Sequence, residues 1–135
     1  MSAEAFIGQV AEWAADHPGI QAAALVGSWA RGAARAESDI DLILIVSEPA
    51  DFLRRDAWLR TFGVVERVTD EDWGRVQSRR AFYRGGPEVE FGITTAEWAD
   101  TDPVDAGTAR VVHDGMRILA DPDGLLADLL AALAL

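Results

Sequence analysis

Apolar residues fall at helical spacing near the start of the chain. Phe6, Val10, Trp13 and Ala14 line one side of a helix over 3–16 that stops at Pro18-Gly19. Residues 20–26 are uniformly small or aliphatic and bounded by Gly19 and Gly27, which predicts a buried strand. Residues 28–36 are small and polar and predict a short helix or loop. The clearest strand is 39–46, where two aspartates open an aliphatic run. Ser47-Glu48-Pro49 has the form of a helix start with Ser47 as cap, which predicts a helix to about residue 62 that buries Phe52, Leu59 and Phe62 and ends at Gly63. A strand over 64–69 follows, then a hairpin whose arms, 81–84 and 88–94, flank Gly85-Gly86-Pro87. Residues 96–113 predict two short helices and 117–120 a short strand. Leu125, Leu126, Leu129, Leu130 and Leu133 mark the face of a final amphipathic helix over 124–134. Helices alternating with strands give an α/β (α+β) fold, a central mixed sheet flanked by helices, and residues 1–135 as a single domain.

Composition removes several classes of chemistry. The chain has no cysteine and only two histidines, His17 and His113, which excludes disulfides, thiol nucleophiles and polyhistidine metal sites. All twelve cations are arginine, so there is no lysine for a Walker-type phosphate loop or a Schiff base. A net charge of −11 argues against a duplex nucleic-acid footprint and favours solubility. No apolar run reaches the length of a membrane span, and acidic residues near the N-terminus argue against a signal peptide, so the expectation is a cytoplasmic protein.

One constellation carries chemistry. Asp39 and Asp41 stand two apart at the start of a strand, so both carboxylates face one side, with Ile43 and Ile45 continuing that face and Ile40, Leu42 and Leu44 on the other. Adjacent carboxylates on a buried strand need a cation, and a hard divalent ion such as magnesium suits oxygen ligands. Gly27-Ser28 directly follows the preceding strand, where glycine permits close backbone approach and a helix start favours an anion. A phosphate cradle beside an acid pair describes the handling of a metal–triphosphate.

The segment from Gly27-Ser28-Trp29-Ala30-Arg31-Gly32 through Ser38-Asp39-Ile40-Asp41-Leu42 resembles the signature of the DNA-polymerase-β-like nucleotidyltransferase superfamily, whose minimal form has about this length. The tail, Gly115 to Leu119 before Asp121-Pro122-Asp123-Gly124, is similar to small bacterial members related to aminoglycoside nucleotidyltransferases. The resemblance implies a nucleotidyltransferase fold and a third carboxylate on a later strand. Glu90, between Val89 and Phe91, fills that place, and Glu88 shares its strand parity as the alternative. Many members carry aspartate here, while antibiotic-modifying relatives use glutamate.

The resemblance further implies that Asp39, Asp41 and Glu90 are catalytic and hold Mg2+, with a two-metal site. Gly27, Ser28, Arg31 and Ser38 would bind the nucleoside triphosphate. It implies transfer of a nucleoside monophosphate, AMP above all, to a hydroxyl of a small molecule or protein, with loss of pyrophosphate. The alternative is an antitoxin-type or nucleotide-binding domain that acts through a helical partner such as a HEPN-type toxin. A homodimer through the leucine face of the last helix is also open.

Other residues have plainer expectations. Arg35 is a surface residue, and Arg79, Arg80 and Arg84 pair with Glu88 and the aspartates. Trp13 and Trp58 belong to the core, while Trp73 and Trp98 fill gaps or border an acceptor pocket. Trp29 either lines the nucleotide cleft or packs on the sheet edge. His17 is a cap or surface residue and His113 has no catalytic assignment. Asp100, Asp102 and Asp105 have some calcium-loop character, but Val104 occupies a ligand position.

Overall fold

A computed structural model describes residues 2–135. Six strands form one mixed sheet: β1 (Ile20–Val26), β2 (Ile40–Val46), β3 (Val65–Asp72), β4 (Gln77–Tyr83), β5 (Glu88–Thr94) and β6 (Met116–Ala120), in the order β3-β4-β5-β2-β1-β6. The central pair, β2 and β5, is parallel, and every other neighbouring pair is antiparallel. The helices are α1 (Ala3–Asp16), α2 (Gly27–Ala30), α3 (Ala50–Leu53), α4 (Ala106–His113) and α5 (Leu125–Ala132), with 3-10 turns at Ala57–Phe62 and Ala96–Ala99.

The sheet separates two apolar layers. Ile40, Leu42, Leu44 and Val46 pack with Phe6, Ile7 and Val10 of α1 and with Phe62, Tyr83 and Phe91. Ile43 and Ile45 pack on the opposite side with Ala22, Ala24, Trp98, Val112, Leu126 and Leu129. Both layers bury β1 and β2, which is why these strands are nearly continuous in apolar residues. The alanines of β1 have modest strand preference, and burial on both faces overrides it. Asp41 belongs to the face of Ile43 and Ile45, as the strand parity requires.

The helix expected over residues 47–62 is broken in two. Ser47 does not cap it; its hydroxyl donates to the Gly19 carbonyl at 3.4 Å, and the N-cap position falls on Pro49. Helix α3 ends after one turn because side chains take its carbonyls. The Phe52 carbonyl accepts from the Trp58 indole at 2.9 Å and from the Arg79 guanidinium at 3.1 Å, and the Arg55 carbonyl accepts from Arg79 at 2.9 Å. The three apolar residues assigned to that segment, Phe52, Leu59 and Phe62, are nevertheless buried. The β3-β4 hairpin is not among the expected elements: the strand expected over 64–69 runs to Asp72, and the arm expected over 81–84 begins at Gln77, because residues 66–80 are mostly polar or charged and lack an apolar-polar alternation.

Arg79 is the clamp of this region. Its side chain is 6% exposed, and it also pairs with Asp56 at 2.7 Å and Asp70 at 3.0 Å. Substitution Arg79→Met leaves the Arg55 carbonyl without its side-chain donor, leaves the Phe52 carbonyl with the Trp58 indole alone, and separates the two acids from their cation. Urea unfolding should show a loss of about 2–4 kcal/mol; an unchanged midpoint would show that the clamp contributes nothing.

Candidate active site

The last residue of β1 leads directly into α2. Gly27 has a φ of +72°, and a Cβ there would come within 2.5 Å of the Asp41 carboxylate. Glycine is therefore required twice, for its backbone conformation and for the approach of the acid. Ser28 follows in the single turn of α2, half-buried. Trp29 turns away from the site and packs against the layer that holds α1; its indole donates to the Ser38 carbonyl at 3.2 Å. Of the two expectations for Trp29, packing is the one seen. The Ser38 hydroxyl accepts from the Arg35 amide at 2.8 Å and so shapes the loop before β2. Arg31 caps α2, is exposed, and makes no ion pair among the described residues.

Parallel pairing of β2 with β5 sets Asp41 beside Glu90, and antiparallel pairing of β5 with β4 sets Glu90 beside Arg80. The side chains meet on the face of Ile43. Arg80 donates to Asp39 at 2.9 Å and to Glu90 at 3.0 Å, and lies 3.3 Å from Glu88. The Trp73 indole donates to the other oxygen of Glu90 at 3.3 Å. Asp39, Asp41, Glu88 and Glu90 thus form one acidic group around a single guanidinium, and the pairing expected of Arg80 is present. Arg84, also expected to pair with Glu88 or an aspartate, pairs with Glu66 instead, at 3.5 Å.

Asp41 is the member held most tightly to its proton. Burial, followed by the charge and hydrogen bond of Glu90 and the charge of Asp39, pushes its carboxyl up to about 6, against the partial relief given by Arg80. Glu88 is raised as well, first through its hydrogen bond with Asp39. Crowded acids of this kind are what a divalent cation relieves, and their oxygens are of the right kind for one. Among the described residues, however, no group of three or more acids or histidines is arranged to hold a metal ion, and Arg80 pairs with Asp39 and Glu90.

A cavity of about 360 Å3 opens beside Asp41 and Glu90. Gly27, Trp73, Trp98, Val111 and Asp114 complete its walls. Trp98 is buried and fills space, whereas Trp73 is 61% exposed and forms an outer wall. The β3-β4 turn carries Trp73, and that turn is not legible in the sequence. Arg80 is equally hard to place from sequence, since its strand parity cannot be assigned without the full length of β4. Asp105 caps α4 by accepting from the Thr108 amide at 3.0 Å, and the His17 ring accepts from the Gly19 amide at 3.0 Å.

Residues 8–71 match the family model described as polymerase beta, nucleotidyltransferase, a segment that contains Gly27, Ser28, Asp39 and Asp41 and ends before Glu90. The structure is similar to the crystal structure of an aminoglycoside 6-adenyltransferase from Bacillus subtilis, with a TM-score of 0.57 at 15% identity over 72% of this chain. The match covers 36% of that protein, so this chain spans about a third of its length. No curated protein sequence matches the chain. The family match covers a little under half of the chain, and the structural match shows that the sheet has the fold of that adenyltransferase.

Two outcomes follow for the metal-free protein. The proton affinity of Asp41 is higher folded than unfolded, so the stability it contributes is present below about pH 4 and is lost as pH rises through about 6. Asp41→Asn should therefore flatten the fall in thermal midpoint between these values and raise the midpoint by a few degrees at about pH 7.5 in chelator. A midpoint lower than wild type under that condition would contradict the assignment. Gly27→Ala should cost about 1–2 kcal/mol for the left-handed backbone alone, read from urea midpoints, and more if Asp41 cannot move aside.

Proposed function

We propose that the chain transfers a nucleoside monophosphate, AMP from ATP, to a hydroxyl group of a small molecule or protein side chain and releases pyrophosphate. The observation that carries this reading is the convergence of Gly27, Asp39, Asp41 and Glu90 at one corner of the sheet, where Ser28 follows Gly27 in the chain. The similar Bacillus subtilis protein is an adenyltransferase, which supports adenylate as the transferred group.

Asp39, Asp41 and Glu90 would hold the divalent cation, magnesium being usual beside triphosphates. When bound it would supply neutralising charge on the phosphates and a more acidic acceptor hydroxyl. The backbone of Gly27 and Ser28, with the Ser28 hydroxyl, holds the β and γ phosphates. Arg31, exposed and in no ion pair among the described residues, offsets phosphate charge. Ser38 fixes the loop that leads to Asp39. Glu90 takes the acceptor proton as the acceptor oxygen attacks the α-phosphorus. The bond from that phosphorus to the bridging oxygen then breaks, and the electron pair leaves with pyrophosphate.

Calorimetric titration of each nucleoside triphosphate, with and without Mg2+, tests the reading. Saturable binding should require Mg2+ and disappear in the Asp39→Asn/Asp41→Asn variant while circular dichroism is unchanged. With an acceptor identified by pyrophosphate release, Asp41→Asn should lower transfer about a thousandfold or more. Binding equal in variant and wild type would refute the site assignment. Absence of binding at millimolar nucleotide would move the function to the alternative of a domain working through a protein partner.

A further inference from the structure

Four carboxylates, those of Asp39, Asp41, Glu88 and Glu90, crowd one end of the sheet, and a single cation, Arg80, answers them. Arg80 reaches three of the four from the middle of β4, and its side chain is only 22% exposed. Arginine suits this position because its planar fork places several donors at fixed angles and it loses hydration more readily than lysine. Its neighbour Arg79 cannot take its place, since it points to the opposite face and is fully engaged by Asp56, Asp70 and two carbonyls.

The arrangement takes up part of the acceptor capacity that a metal would use. One Glu90 oxygen receives Arg80 and the other receives the Trp73 indole, while an Asp39 oxygen also receives Arg80. A lone pair committed to an N–H donor is unavailable to a cation. We propose that Arg80 is a resident counter-cation that competes with divalent metal for these carboxylates, so that metal enters by displacing the guanidinium and Arg80 sets the metal affinity of the site. This rests on the reading of Asp39, Asp41 and Glu90 as the metal-holding acids. The guanidinium brings one positive charge to the cluster and a divalent ion brings two, which favours the exchange once the ion is present in sufficient concentration. Without metal, Arg80 keeps the acids from repelling one another and holds the β4, β5 and β2 ends together.

The test uses Mn2+ alone, without nucleotide. Free Mn2+ is followed by electron paramagnetic resonance for wild type, Arg80→Met and Arg80→Lys, and thermal midpoints are measured in chelator and in excess Mn2+. Arg80→Met retains the length of an apolar stem but has no charge, and should bind Mn2+ about tenfold tighter or more than wild type. Its midpoint in chelator should fall, and its rise on adding Mn2+ should exceed that of wild type. Arg80→Lys keeps the charge without the fork and should bind Mn2+ with intermediate affinity; it serves as the test if Arg80→Met does not fold. Affinity equal to or weaker than wild type in a folded variant overturns the competition while leaving the metal-site reading intact. If neither wild type nor the variants bind Mn2+, the metal-site reading fails and this inference falls with it.

Discussion

The parallel register of β2 on β5 is the constraint from which the site follows. It places Asp41 directly beside Glu90, and the antiparallel partner strands bring Val26 with Gly27 to one side and Arg80 to the other. A slip of one residue on β2 would turn Asp41 into the layer of α1 and expose Leu42. The apolar layers forbid that slip, because Ile40, Leu42 and Leu44 are fully buried on one side and Ile45 on the other. The hydrophobic core therefore specifies where the acids stand, and the acids contribute little to holding the strands in place.

Concentrating acids at one end of the sheet opposes folding, and the protein manages this by gradation. Asp39 and Glu88 are at the outer rim, 42% and 33% exposed, where water and Arg80 share the charge. Glu90 is deeper and holds two donors. Asp41 has its proton affinity raised first by burial and then by the neighbouring charges of Glu90 and Asp39. The proposed cation would answer those charges, which couples binding to stability: whatever binds only the folded chain shifts the folding equilibrium in its favour. The same physics explains why the site contains glycine at the approach to Asp41 and an arginine at the centre of the cluster.

Much of this is legible in the sequence. The Gly27-Ser28 turn and the Asp39-Ile40-Asp41 pair are local patterns, and strand parity alone predicts which side chains share a face with the acids. The family resemblance asks for a third carboxylate on a later strand, parity admits both Glu88 and Glu90, and the register that sets Glu90 beside Asp41 distinguishes them. The failures lie where distant contacts decide local structure. The segment 47–62 has the pattern of a helix, but Trp58 and Arg79 claim the carbonyls that a continuing helix would use. Over 66–80, a mostly polar and charged sequence conceals a hairpin whose stability comes from cross-strand pairing and from Arg79 buried beneath it. Trp73 cannot be placed without that hairpin, and neither can Arg80 be assigned to the face of the acids.

The most direct test of this site is a crystal structure with Mn2+ and a non-hydrolysable ATP analogue, the metal located by anomalous scattering. A Mn2+ peak is expected among Asp39, Asp41 and Glu90, with the triphosphate against the backbone of Gly27 and Ser28. A nucleotide seated elsewhere, or Mn2+ coordinated only by phosphate with these carboxylates still turned toward protein donors, would contradict it.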